Sequence, residues 1–226
     1  MTSCEIEMKS LLGTQERADE LREKLKAVDP RTRLVSRNKQ LNHYFVGGDT
    51  AVLYDKLFPH LSEEKRSGLQ SIIKKGSDFS IRTRRIDEQN PLIVLKASLD
   101  AGTSHNTVSR LEFESEISGM TLEQLDRVLL ESGFSYQAKW SREREEYQCG
   151  DVSVCFDKNA GYGYVAEFEK VVPDGSHIES ARKALEEFME RLGVSELPQE
   201  RLERMFAHYN EHWPEYYGTS KTFVVE

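Results

Sequence analysis

The chain has 226 residues, of which 38% are hydrophobic and 31% charged, and its formal net charge is −8. This composition is globular rather than disordered, its length allows one large domain or two small ones, and its acidic balance argues against a general affinity for nucleic acid. It has neither a long apolar run nor a secretory leader, and its three cysteines show no paired spacing, so we expect reduced thiols in a cytoplasmic protein.

Hydrophobic periodicity and turn residues predict the elements in chain order. The first part of the chain is predicted to contain strands at 4–9, 33–46, 79–86, 92–97 and 107–117, with helices at 14–28 and 121–132. The remainder is predicted to contain strands at 135–148, 151–157 and 162–171, a helix at 176–192, and a last helix from about 198 to Pro214. We predict a single α+β domain over 1–226, with strands and packed helices in 1–192 and a helical tail in 193–226.

A helical insert over about 50–75, broken near Pro59, separates the second and third predicted strands. Its simplest interpretation is a surface excursion that covers one wall of the fold. A lid or specificity element is the alternative.

Most predicted strands alternate apolar residues with charged ones, and the charges are sorted by sign. Glu-x-Glu occurs at 5/7, 112/114 and 167/169, whereas Arg-x-Arg occurs at 82/84 and 142/144. Residues two apart on a strand share a face, where like charges repel each other. One such strand is usually just a solvent-exposed face. The repeated sorting instead favours bound ligands: a divalent metal for the carboxylates and a phosphate chain for the arginines, held in one cavity.

The same alternation predicts a closed sheet. If the charged faces point inward, the apolar faces, such as Ile6/Met8 and Leu111/Phe113, must be covered by the amphipathic helices. Eight strands are enough to enclose a small ligand. Unpaired buried charges are costly, so such an interior must be hydrated, paired or filled. We therefore predict a closed eight-stranded antiparallel β-barrel with a charged interior and helices packed outside.

The first strand, Glu5-Ile6-Glu7-Met8-Lys9, resembles the ExExK signature of the CYTH family. That family comprises class IV adenylate cyclases, thiamine triphosphatases and inorganic tripolyphosphatases, also called triphosphate tunnel metalloenzymes. Later segments resemble other parts of the family pattern in the same order. Residues 82–84 resemble its arginine strand, 95–96 its lysine strand and 110–114 its RxExE strand. Residues 156–157 resemble its late aspartate, and 161–169 its glycine turn followed by its ExE strand. The likeness runs from Cys4 to about Leu192, and it implies the triphosphate-tunnel fold.

The resemblance also implies roles for the charged positions. Mg²⁺ or Mn²⁺ would be held by carboxylates, with the RxExE pair as ligands or neighbours of ligands: Glu5, Glu7, Glu112, Glu114, Asp157, Glu167 and Glu169. The phosphates would be bound by Lys9, Arg82, Arg84, Lys96, Arg110, Arg142 and Arg144. The catalytic set would be Glu5, Glu7, Lys9, Glu167 and Glu169.

One strand departs from the family pattern. The family usually has Lys-x-Arg where this chain has Arg142 and Arg144, and the two cations bind phosphate differently. Lys139 could take the lysine's place only if a bulge shifted the register.

These residues predict metal-dependent hydrolysis of a triphosphate, with thiamine triphosphate, inorganic tripolyphosphate and nucleoside triphosphates as candidates. Cations would neutralise the phosphate charge during transfer, and a metal would help to activate water. One alternative is a class IV adenylate cyclase, in which the ribose 3′-hydroxyl of ATP attacks and pyrophosphate leaves. The other is a non-catalytic binder of polyphosphate or nucleotide, against which the carboxylate set argues.

The predicted partner is a small-molecule triphosphate, with no nucleic acid and no membrane. The tail beyond residue 197 is rich in aromatic residues, which soluble monomers rarely leave exposed as a patch. We expect it to pack on the parent barrel, although a homodimer interface would also bury it.

Overall fold

The computed structural model describes residues 4–98, 110–173 and 175–225. Its eight strands are β1 (Cys4–Gly13), β2 (Arg33–Gly47), β3 (Ser77–Ile86), β4 (Leu92–Ser98), β5 (Arg110–Glu116), β6 (Phe134–Cys149), β7 (Val152–Asn159) and β8 (Gly163–Val172). Its six α-helices are α1 (Gln15–Val28), α2 (Thr50–Leu57), α3 (Glu63–Lys75), α4 (Leu122–Leu130), α5 (Ile178–Leu192) and α6 (Gln199–Tyr216). Within these ranges, no helix has the length and apolar character that a membrane span requires.

The strands form one antiparallel sheet in the order β1-β8-β7-β6-β2-β3-β4-β5. The predicted α+β class and the eight strands are therefore confirmed. In the described part of the chain the order ends at β1 and β5 without a ladder joining them, so the predicted closure into a barrel is not confirmed.

The contacts divide the chain into two compact units, one of residues 1–39 with 141–226 and the other of residues 40–140. We call them the terminal unit and the central unit. The prediction of one functional domain, with its boundary at residue 192, is not tested by this division and stays a prediction.

In the terminal unit, one face of the β1-β8-β7 ribbon is apolar. Met8 is paired with Phe168, which is paired in turn with Val154, and all three are at most 2% exposed. Helices α1 and α5 cover this face with Leu21, Leu25, Leu185, Phe188 and Met189. Because side chains alternate along a strand, Glu7, Lys9, Glu167 and Glu169 lie on the opposite face.

The central unit repeats this arrangement. Ile81, Leu95 and Phe113 occupy one row across β3, β4 and β5 and are buried. They share a core with residues of α2, α3 and α4, including Leu53, Leu57, Leu69, Ile72, Leu125 and Leu129. The insert thus covers an apolar sheet face, which confirms the simpler of its two interpretations.

Local signals explain where the helices begin. Asp49 and Ser62 cap α2 and α3 with their side chains, and Thr121 forms a capping box with Gln124 at the start of α4. The predicted elements are confirmed in type and order, while residues 107–109 of one predicted strand lie outside the described residues.

The predicted end of the last helix at Pro214 is wrong, because α6 continues to Tyr216 with Pro214 inside it. A proline removes one backbone donor but does not forbid a helix whose side chains are fixed by packing. Tyr209 is fully buried on this helix, and its ring lies 6.0 Å from that of Tyr216 and 6.4 Å from that of Phe223.

The tail packs on the turn between β7 and β8, within the terminal unit. Gly161 N–H donates to the Lys221 carbonyl (2.8 Å), and Phe223 N–H donates to the Gly161 carbonyl (2.8 Å). Gly161 has φ +85°, and a Cβ there would come within 2.6 Å of the Tyr209 ring. Glycine at this position therefore allows both the turn and the close approach of α6.

Replacing Tyr209 by alanine is expected to lower the free energy of unfolding by about 3 kcal/mol, because a cavity replaces a buried aromatic ring. Phe206→Ala is the matched control on the same helix, since Phe206 is 38% exposed. Urea unfolding of both variants tests this. Equal stability losses would show that the Tyr209 contact does not anchor the tail.

Candidate functional site

Two carboxylates face each other across the β1-β8 ladder of the terminal unit. Glu7 is paired with Glu169, and the next pair on the same face is Lys9 with Glu167. Side chains of directly opposed residues have Cβ atoms about 4.5–5.5 Å apart, and like charges in that position are destabilising. The backbone of Glu5 continues this row, although its side chain lies outside the described residues.

Lys9 bridges two of these carboxylates. Its Nζ forms an ion pair with Glu7 and lies 3.5 Å from Glu167 Oε1. Glu167 is only 9% exposed. Burial acts to raise its pKa, but the positive charges of Lys9, Arg144 and Arg142 lower it to about 2. Glu167 is therefore an anion throughout the physiological pH range.

Arg142 and Arg144 on β6 are both held by Asp157 on β7. Asp157 is 1% exposed and accepts from Arg142 Nη1 (2.7 Å), Arg144 Nε (2.7 Å) and Arg144 Nη2 (2.6 Å). Arg144 also forms an ion pair with Glu167. Burial acts to lower the pKa of Arg144, but the hydrogen bonds to Asp157 and the charges of Glu167 and Asp157 raise it. Asp157, predicted as a metal ligand, here orients the two arginines.

Cys155 on β7 lies on the same face as these charges. It is paired with Glu167 on β8 and with Glu146 on β6. Burial, the largest influence, and neighbouring carboxylates raise the pKa of Cys155 to about 12. A thiol that stays protonated is a poor nucleophile. Cys155 is therefore suited to packing rather than to covalent catalysis.

The central unit carries its own set of charges on the face opposite its core. Arg82 Nη1 donates to Tyr44 OH (2.7 Å), and Arg84 Nε donates to Asn42 Oδ1 (2.9 Å). Arg84 also lies 3.4 Å from Glu114. Each arginine is thus supported by the residue directly opposite it on β2.

The remaining predicted residues of this unit lie on β4 and β5. Lys96 is paired with Glu112, and their charged groups are 3.1 Å apart. Arg110 is paired with Ser98 in the ladder, but its side chain lies outside the described residues. Lys139, the alternative to Arg142, lies in the central unit with its Nζ 3.8 Å from Asp126.

Sequence reasoning missed Asn42 and Tyr44 as partners of the arginines. Their signal was the period of two in β2, which puts both on the face of Arg82 and Arg84 once the register is known. It also missed a buried cluster around Asp126, because a lone acidic residue in a helix gives no local sign of burial.

A model of the CYTH domain matches residues 74–201, which is more than half of the chain. The chain belongs to the CYTH family. No curated protein matches this CYTH chain.

Solved structures agree with the CYTH fold. The chain is similar to the PH1819 protein from Pyrococcus horikoshii OT3, with 21% identity, a TM-score of 0.57, and coverage of 87% of this chain and 94% of that chain. A candidate adenylate cyclase from Vibrio parahaemolyticus shows 14% identity and a TM-score of 0.53, covering 84% and 89%. HpAC1 from Hippeastrum, a candidate adenylyl cyclase described as having a dominant triphosphatase activity, shows 16% identity and 0.51, covering 91% and 96%. These identities establish the fold alone.

The donor chemistry of the terminal unit fits a hard divalent cation. Among the described residues, no three His, Cys, Asp or Glu side chains are already gathered to hold a metal. Glu7 and Glu169 are nevertheless directly opposed on one face, and carboxylate oxygens are the ligands that Mg²⁺ prefers. Glu167 and Asp157 form ion pairs with the neighbouring arginines, and Lys9 lies between Glu7 and Glu167.

Proposed function

We propose that this CYTH protein hydrolyses a small-molecule triphosphate in a reaction that requires Mg²⁺ or Mn²⁺. The observation that carries the proposal is the direct pairing of Glu7 with Glu169, beside a row of cations on the same face. Two opposed carboxylates repel each other, and a divalent ion held by both would offset that repulsion. Neighbouring arginines and a lysine supply the counter-charges that a phosphate chain needs.

The residues divide the work as follows. Glu7 and Glu169, with Glu5, would hold the ion. When bound, the ion would polarise a phosphate oxygen and lower the pKa of a coordinated water. Arg142 and Arg144 would bind non-bridging phosphate oxygens, with their guanidinium groups fixed in advance by Asp157 and Glu167.

Lys9 would complete the charge compensation. Its Nζ already lies between Glu7 and Glu167, so it can turn from carboxylate to phosphate over a short distance. Positive groups aimed at the transferring phosphoryl group stabilise the charge that spreads over its oxygens in the transition state. Preorganisation by Asp157 and Glu167 means that little reorganisation is needed when the substrate arrives.

Hydrolysis is preferred to cyclisation because HpAC1, which shares the fold, is described as having a dominant triphosphatase activity. Other neighbours are described as candidate adenylate cyclases, so production of cyclic AMP from ATP is the alternative. Both reactions would use the same residues to bind the triphosphate, and they differ in the nucleophile. A non-catalytic binder would not need the opposed carboxylates.

Arg82, Arg84, Lys96 and Arg110 stay proposed phosphate-binding residues, and Glu112 and Glu114 stay proposed metal ligands or their neighbours. We further propose a cytoplasmic protein without nucleic-acid or membrane partners. The formal net charge of −8 supports the absence of a nucleic-acid partner. The tail packs on its own chain and buries Tyr209 there, which favours a monomer.

Product analysis tests the function. Purified protein is incubated with tripolyphosphate, thiamine triphosphate or ATP, each with Mg²⁺ or Mn²⁺, and products are identified by ³¹P NMR. We expect orthophosphate and the matching diphosphate, no reaction in EDTA, and recovery when metal is restored. If ATP instead gives cyclic AMP and pyrophosphate, the reaction is cyclisation and not hydrolysis. Binding without turnover, or full turnover in EDTA, would contradict the proposal.

A further inference from the structure

A buried carboxylate lies on the apolar side of the central unit, on α4. Asp126 is 2% exposed and accepts hydrogen bonds from His43 Nδ1 (2.7 Å), Thr83 Oγ1 (2.6 Å) and Tyr136 OH (2.7 Å). Lys139 Nζ lies 3.8 Å away. Such short contacts are typical of charge-assisted hydrogen bonds. A buried carboxylate with this many donors is a fixed point in the structure, because moving it would leave a charge unsolvated.

Asp126 is ionised in this cluster. Burial acts to raise its pKa, but the hydrogen bonds from His43, Thr83 and Tyr136 together lower it below its ordinary value. An ionised carboxylate can only accept hydrogen bonds, which places a proton on His43 Nδ1. The donors come from three strands that are neighbours in the sheet, β6, β2 and β3.

Two of these donors form one pair of the β2-β3 ladder, since His43 is directly opposite Thr83. The pair on one side is Asn42 with Arg84, and the pair on the other is Tyr44 with Arg82. Asp126 therefore accepts hydrogen bonds from the β2-β3 ladder on its core side. The ladder position that it contacts lies between Arg82 and Arg84, which point to the charged face.

Geometry couples the two faces at this point. Arg84 is held by Asn42, and Arg82 by Tyr44, through hydrogen bonds between opposed residues. Any change in the pleat or tilt at the His43–Thr83 pair moves the Cα atoms on both sides of it. Guanidinium groups bind phosphate through a directional fork of donors, so small displacements weaken the contact.

We propose that Asp126 is a positioning residue, which acts through the His43–Thr83 pair to hold Arg82 and Arg84 in the geometry that binds a triphosphate. This inference rests on the proposed function. It assigns a part in substrate binding to a residue that contacts no substrate and lies on the opposite side of the sheet from the arginines.

A purely structural role for Asp126 would also explain its burial, so stability alone cannot test the inference. Thr83→Val keeps the β-branched shape but removes the hydroxyl, and Asp126→Asn replaces an acceptor oxygen by a donor. Thr83→Ser restores the hydroxyl. Ser132→Ala is the matched control, because Ser132 is 3% exposed and its hydroxyl donates to the Val128 carbonyl at the end of α4 (2.8 Å).

Each variant is measured for the Kd of tripolyphosphate by calorimetry, for kcat and KM, for melting temperature, and for the Nε–Hε NMR signals of Arg82 and Arg84. We expect Thr83→Val and Asp126→Asn to raise Kd and KM about tenfold, the scale for loss of an orienting contact, with a smaller change in kcat. The arginine signals should shift in both variants, and Thr83→Ser should behave as wild type. Ser132→Ala should change only the melting temperature.

Folded Thr83→Val protein with unchanged Kd, KM and arginine signals would overturn the inference, whether or not Asp126→Asn folds. If the wild type neither binds nor hydrolyses tripolyphosphate, the proposed function fails. The arginine signals then decide the inference alone: a shift in Thr83→Val supports the positioning of Arg82 and Arg84 by this cluster, and no shift contradicts it.

Discussion

Replacing Glu169 by glutamine is expected to lower turnover at least about 100-fold while leaving the fold intact, since loss of even an outer contact to a metal site costs about 10–100-fold. Glu169 is directly opposed to Glu7, and both point away from the apolar core of the terminal unit. The amide has nearly the same size as the carboxylate, so packing is preserved, but it is a weaker ligand for a hard cation.

Melting curves separate loss of the metal site from misfolding. Binding to the folded state alone stabilises a protein by RT ln(1 + [L]/Kd), or about 2.7 kcal/mol at a hundredfold excess over Kd. Wild type should therefore melt at a higher temperature as Mg²⁺ is added, and Glu169→Gln should lose this response. In EDTA the variant should melt cooperatively at a temperature close to that of wild type, because glutamine keeps the size and shape of glutamate.

Glu143→Gln is the matched control for Glu169→Gln. Glu143 is an exposed glutamate on β6, paired in the ladder with Lys158 and 3.9 Å from Lys39. It should retain full turnover and the Mg²⁺ response. Equal activity in wild type and Glu169→Gln would contradict the role of Glu169 as a metal ligand. It would favour the interpretation of this strand face as an ordinary solvent-exposed surface.

Replacing Arg144 by glutamine is expected to lower the free energy of unfolding by about 3–5 kcal/mol at neutral pH, the scale for breaking a buried ion pair. Arg144 donates to both oxygens of Asp157 and pairs with Glu167, and Asp157 is 1% exposed. Without Arg144, each of two buried carboxylates loses one counter-charge, leaving Arg142 beside Asp157 and Lys9 beside Glu167. Phosphate binding should be lost as well.

The stability difference should depend on pH. The pKa of Glu167 is lowered from an ordinary value of 4.5 to about 2, so its ionisation stabilises the fold above pH 4.5 and this contribution is lost as pH falls toward 2. In Arg144→Gln, Glu167 lacks that partner and protonates more readily. The difference between wild type and variant should therefore be largest at pH 7 and narrow below pH 4.5.

Urea unfolding in EDTA, repeated between pH 7 and pH 3.5, measures this difference without metal or added salt. Arg182→Gln is the control, because Arg182 pairs with Glu186 and Glu196 at the surface of α5, where ion pairs contribute about 1 kcal/mol or less. A loss of similar size in both variants, or a difference that stays constant with pH, would contradict the buried network around Arg144.

The sequence by itself determined the elements and the faces of the strands. A period of two is a local property of extended backbone, so Arg82 and Arg84, or Glu167 and Glu169, share a face in whatever sheet contains them. Caps and turns are local too, which explains why the helix that begins after Thr121 was predicted within a residue of its start. The order of the motifs along the chain was likewise sufficient to predict the CYTH family.

Only the tertiary structure decided which charged side chains form ion pairs with one another. The β6-β7 register places Asp157 opposite Arg144, so a carboxylate predicted to bind metal forms hydrogen bonds with two arginines. Asp126 gains its place in the core from α4 packing over β2 and β3, which no local pattern reports. Packing of Tyr209 likewise accompanies the continuation of α6 through Pro214. Strand register and helix docking depend on residues far apart in the chain, whereas the alternation of side chains depends on neighbours. This is why the sequence specified the faces of the strands but not the partners of each face.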